Sequence, residues 1–157
     1  ILSPAKALRT LRKTPVLLDT LLHGVSDEQA TTLTDGPDGW NAVFLMGHMR
    51  EYEHILRQRV EAILAENHPT LPVSAANDVL AAENDYAHAN LFDLVAEWHA
   101  LRQAFIARLE EVQGEQWLRT GQHPQQGEGT LLDVAVNAGL HDIDHFEQLA
   151  RILAPGR

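Results

Sequence analysis

Residues 90–112 read NLFDLVAEWHALRQAFIARLEEV. Leu91, Leu94, Trp98, Leu101, Phe105, Leu109 and Val112 recur with the 3.6-residue period of a helix that has one apolar face. Gly114 ends the pattern. Residues 130–153 repeat the signature further along the chain: Val134, Ala138, His141, His145, Leu149 and Ile152 share a stripe, with Thr130 as the N-cap and Asp133 at the capping-box position. Towards the N-terminus, Asn41 is placed to cap a helix whose face carries Leu45, His48, Tyr52, Ile55 and Ala62, while Arg50, Glu53, Arg57 and Glu61 fall elsewhere. A further helix spans Pro4 to His23, and Pro15 within it predicts a kink or a division into two short helices. Four amphipathic helices of this length predict an all-α antiparallel four-helix bundle with one long crossover connection.

The intervening segments fit that plan. Asp35-Gly36-Pro37-Asp38-Gly39 is dense in turn residues, and Ser26-Asp27 marks a short turn or helix. Residues 67–90 form the long connection, with a short helix expected between Ala75 and Tyr86. Long connections in compact domains often cover a site. Residues 119–129, rich in Gly and Gln, are expected to be loop, and no strand is expected anywhere. No repeat and no second composition regime divides the chain, so residues 1–157 are expected to form a single domain.

Bulk composition narrows the function. Of 157 residues, 45% are apolar, enough for a real core, yet the longest apolar runs are far too short to span a bilayer. With 12 Lys and Arg against 22 Asp and Glu, the formal charge is −10. That is the wrong sign for displacing counterions from nucleic acid, so no nucleic-acid partner is expected. Arg9, Arg12 and Lys13 form only a local basic cluster, read as a solvated helix face. Cysteine is absent, which removes disulfides, thiolate metal sites and cysteine nucleophiles and fits a cytoplasmic protein. Any metal must therefore be held by histidine, carboxylate and water.

Histidine supplies the chemistry. His141 and His145 lie four residues apart on one helical face, about 6 Å apart along the axis, where two imidazoles can share one ion. The plainer reading is two buried histidines with hydrogen-bond partners. His48, on the inner stripe of its own helix and next to Gly47, supplies a third ring. Three converging nitrogens leave a coordination position open, the catalytic arrangement. His23, His54, His68, His88, His99 and His123 are expected at the surface, though the loop of His123 leads into the last helix. Glu51 and Asp144, each one turn from a histidine, are candidates to support a ligand or to take a proton, and Gln148 to bind water or cap the inner face. Arg102 is a candidate to hold an anionic substrate or to pair with a core carboxylate.

Trp40-Asn41 opening a helix, Gly47-His48, Leu101-Arg102, and His141-x-x-x-His145-x-x-Gln148 together resemble the DinB-like superfamily, including YfiT-like metal-dependent hydrolases and the mycothiol- and bacillithiol-dependent enzymes. The resemblance runs from about Leu8 to Leu153. It implies a divalent metal, zinc or nickel, on His48, His141 and His145, a small-molecule substrate, and a homodimer; Val43 and Phe44 are expected to be exposed apolar residues beside the site helix. It further implies a thiol S-transferase that uses an external low-molecular-weight thiol, or a hydrolase that uses water. The alternatives are a non-enzymatic metal or small-ligand binding protein on the same scaffold, and a metal-free helical interaction module.

Overall fold

Three of the four long helices begin where an Asn or Ser side chain closes the first turn. In the computed structural model, which describes residues 1–156, α1 is Pro4–Leu22, α2 Asp27–Thr32, α3 Ala42–Ala65, α4 Asn77–Glu83, α5 Leu91–Glu110 and α6 Leu131–Leu153. Ser3, Asn41 and Asn90 cap α1, α3 and α5 with side-chain oxygens, and the fourth long helix, α6, opens on a full Thr130–Asp133 capping box. Ser26 and Gln29 form another capping box on α2.

The chain is a four-helix bundle. Around its axis α1 packs on α6, α6 on α3, α3 on α5, and α5 closes on α1. Two helices run each way. One core cluster gathers the C-terminal halves of α1 and α6 and the N-terminal halves of α3 and α5, with Leu18, Met46, Trp98 and Phe146 among its members. The other gathers the opposite halves, with Leu11, Leu56, Phe105 and Leu131. The neighbours α3 and α5 are therefore parallel, which requires the long return through residues 66–90 and α4. No helix is long and apolar enough to cross a membrane among the described residues.

A polar layer separates the two clusters. Arg102 of α5 donates to both oxygens of Glu53 on α3 (2.7 and 2.9 Å) and both of Asp142 on α6 (2.6 and 3.0 Å). It also donates to Thr14 of α1 (3.1 Å), whose hydroxyl in turn donates to Asp142. All four residues are buried. Burial alone would disfavour the Arg102 cation, but the hydrogen bonds to Glu53 and Asp142 outweigh it and push its pKa up. Glu53, expected off the inner face, is thus a core residue.

Three further expectations are corrected. Of the two outcomes expected at Pro15, a kink or a division, the division is the one corrected: α1 is one helix, not two. Its turns bury a single stripe, Ala7, Leu11, Thr14, Leu18 and Leu22, and that shared packing offsets the lost hydrogen bond. Residues 119–129 are not simply loop: β1 (Thr120–His123) and β2 (Gly127–Thr130) pair antiparallel, with Thr120 opposite Thr130. Backbone bonds from Gln122 to Pro69 and from Leu71 to Gln122 tie this hairpin to the crossover. Its strands lack apolar alternation because Gly121 makes the close approach, where a Cβ would lie 2.5 Å from Leu71. Finally, Val43 is buried and Phe44 half-buried, so neither forms an exposed patch; Phe44 packs on Trp40 and Tyr86.

Candidate metal centre

His48 of α3 and His141 and His145 of α6 meet across the antiparallel α3–α6 seam. One ring nitrogen from each lies within 4.8 Å of the others. The Nε2 atoms of His48 and His141 are 3.0 Å apart, near the spacing of two nitrogens that share an ion at about 2.0–2.1 Å. All three rings are half-buried rather than enclosed. The innermost stripe of α6 runs through Ala138, Asp142, Phe146 and Leu149, and the histidines sit along its edge. That offset keeps them reachable from outside.

Outer partners set the tautomers of two rings. His48 Nδ1 is 3.0 Å from Asn77 Oδ1 on α4, and His145 Nδ1 is 2.9 Å from Gln148 Oε1. An amide oxygen only accepts, so each Nδ1 carries the proton and each Nε2 keeps its lone pair. Gln148 is itself held by donating to Asp35 (3.1 Å), which Arg151 also engages (2.6 Å). Aromatic rings wall the cluster. Trp40 stacks over His145 at 5.8 Å, and Tyr52 stacks over His141 at 3.8 Å.

Electrostatics disfavours the protonated forms of His48 and His141. Burial, then the neighbouring His145, lowers His48 to about 4 despite the bond to Asn77. Burial, then His145 and His48, lowers His141 to about 2. Unprotonated imidazoles with free Nε2 lone pairs are the donor set that zinc, nickel and similar ions accept. No fourth His, Asp or Glu joins the cluster among the described residues. The three-histidine site fits a divalent metal, with a coordination position not taken by these side chains.

The other candidates are sorted by their contacts. Gln148 belongs to the site as the support of His145, not as a cap. Glu51 pairs with Arg50 at 2.9 Å and lines a separate cavity with His54 and Glu97, among whose walls none of the three histidines stands. Asp144 is exposed and does not join the cluster. Arg102 is consumed by its two core carboxylates, which removes it as a substrate anchor and selects the core-pairing alternative. His23, His54, His68 and His88 are exposed. His99 is half-buried and 2.8 Å from Asp19. His123 is also half-buried, with Nε2 3.1 Å from Arg59 Nη2. Sequence reasoning missed Asn77, since nothing in the crossover's composition ties it to a residue 29 positions earlier. It also missed Asp142 and Thr14, which were detectable as polar residues at helical core spacing.

Comparison with known proteins bears on the fold and the family. No curated protein matches the sequence. Among solved structures the chain is similar to YfiT from Bacillus subtilis, described as a probable metal-dependent hydrolase with an unusual four-helix bundle topology. The TM-score is 0.85 at 19% identity, over 97% of this chain and 86% of that one. That likeness is one of fold. The DinB superfamily's sequence pattern matches residues 10–149, nearly the full length of the bundle. The chain belongs to the DinB superfamily.

Proposed function

We propose that His48, His141 and His145 hold one divalent ion, zinc or nickel, and that the chain is a metal-dependent enzyme with a small-molecule substrate. The observation that carries this reading is the convergence of one ring nitrogen from each of His48, His141 and His145 within 4.8 Å, with His48 and His145 each committing Nδ1 to a side-chain amide. A merely structural histidine does not need a dedicated outer partner to free one nitrogen. The bound ion would supply Lewis acidity, lowering the pKa of a thiol or water in the remaining position. The chain's own residues disfavour protonation of His48 and His141, orient His48 and His145, and wall one side with Trp40 and Tyr52.

Two nucleophiles suit such a site. The hydrolase description of YfiT supports water. The superfamily resemblance supports an external low-molecular-weight thiol, and a chain without cysteine has no thiol of its own to compete. We favour thiol S-transfer. The test is turnover of a chloro-aromatic acceptor by zinc- or nickel-loaded protein, with and without a panel of low-molecular-weight thiols. The reading expects product only with both thiol and metal, and recovery when metal is returned after chelation. Turnover indifferent to both overturns it; metal-dependent turnover without thiol transfers the assignment to hydrolysis.

A further inference from the structure

The α3–α6 seam continues past the histidines into a cavity of about 320 Å³, lined by Leu56, Arg59, His123, Thr130, Val134 and Asn137 among others. That volume lies in the range of small-ligand sites, about 300–1,000 Å³. Asn137 stands one turn before His141 on α6. On α3, the Arg59 guanidinium donates to the Tyr52 hydroxyl at 3.4 Å and lies 5.7 Å from the Tyr52 ring, which itself stacks on His141 at 3.8 Å. A single aromatic side chain therefore separates the cavity's cation from the histidine cluster.

Arg59 is an unusual cation. It is only 7% exposed, yet among the described residues no carboxylate lies within 4.0 Å, in contrast to Arg102. The acceptors it reaches are neutral: the carbonyl of Pro72 at 3.0 Å and the Tyr52 hydroxyl at 3.4 Å. A buried charge without a counter-ion is costly. The acids that line the cavity are placed otherwise. Asp133 accepts from the backbone N–H and hydroxyl of Thr130 as the helix cap, and exposed Glu128 lies 3.5 Å from His68.

His123 sharpens the point. The backbone N–H groups of Gln125 and Gln126 both donate to its Nδ1, each at 3.2 Å. Nδ1 therefore carries the lone pair and Nε2 the proton. Nε2 and Arg59 Nη2 then face each other at 3.1 Å as two donors. Two donors this close call for a common acceptor.

We propose that Arg59 and His123 form the carboxylate-binding end of a substrate site that runs along the α3–α6 seam, with the substrate's reactive group at His48, His141 and His145. The placement of the reactive end rests on the metal reading above; the carboxylate end rests on Arg59 and His123 alone. A planar guanidinium beside one further N–H matches the two oxygens of a carboxylate. A single positive charge with Glu128 and Asp133 on the same walls favours a monoanion over a phosphate dianion. The substrate class is a small carboxylic acid whose other end meets the metal-activated nucleophile, or is that nucleophile.

Calorimetric titration with 6-mercaptohexanoate and 6-mercaptohexanol separates the two ends, because the probes differ only in the carboxylate. On metal-free protein the acid should bind about tenfold or more tightly than the alcohol, the scale of a charge-assisted hydrogen bond. Arg59→Gln should abolish that preference, and Arg59→Lys, which keeps the charge, should retain part of it. Zinc should tighten both thiols in the wild type. Equal binding of acid and alcohol by the wild type, a preference that survives Arg59→Gln, or one lost equally in Arg59→Lys, overturns the carboxylate site. Acid preference without any effect of zinc upholds this site while removing the metal reading, and zinc tightening both thiols without acid preference does the reverse.

Discussion

His145 donates its Nδ1–H to Gln148, which leaves the lone pair on Nε2. Removing that support should leave the bundle folded and weaken the ion's hold. Gln148→Ala is expected to reduce zinc affinity by about 10–100-fold, the usual cost of losing an outer partner of a metal-bound histidine; competition with a calibrated chelator measures it. The depressed basicity of His48 and His141 gives a second expectation, for metal-free protein. Both rings titrate in the fold, at about 4 and about 2, below the free value of 6.5. As pH falls, the unfolded chain takes up protons first. Their contribution to stability is whole above about pH 6.5 and is lost as the pH drops from there through the folded values. Urea midpoints of the metal-free protein should therefore fall steadily from pH 7 to pH 4, and a flat profile would show that the rings are not buried as described.

At the scale of elements, the crossover does more than return the chain. Tyr86 lies against Gly47, where an added Cβ would come within 2.5 Å of its ring. This contact pins the crossover over α3, beside the Asn77 that holds His48. Gly47→Ala should force the phenol away at a cost of about 1–3 kcal/mol and should loosen zinc binding as well, two effects that thermal denaturation and chelator competition read separately. The long helices were legible because each carries an apolar stripe, and His48, His141 and His145 because they share those stripes. The hairpin was not. Its residues, Thr-Gly-Gln-His and Gly-Glu-Gly-Thr, have no apolar alternation and gain their order from Leu71 and Pro69 across the chain. Arg59 and Glu53 were read as outward charges or passed over, since burial of a charge depends on partners that no local pattern displays.

For the whole molecule, the layer of Thr14, Glu53, Arg102 and Asp142 ties all four long helices together between two apolar clusters. It also fixes the register of α6 against α3, because Asp142 adjoins His141. Arg102→Met would leave two carboxylates buried without their cation and is expected to cost about 3–5 kcal/mol, read as a lowered denaturation midpoint. A histidine substitution should behave differently, because the core clusters are complete without the ion. The most direct measurement is the metal content of wild-type protein and of His145→Ala after zinc loading and gel filtration, with circular dichroism to follow the fold. One zinc ion per chain in the wild type and almost none in an equally helical His145→Ala is the expected result. Equal metal in both proteins, or none in either, would contradict a centre built on His48, His141 and His145.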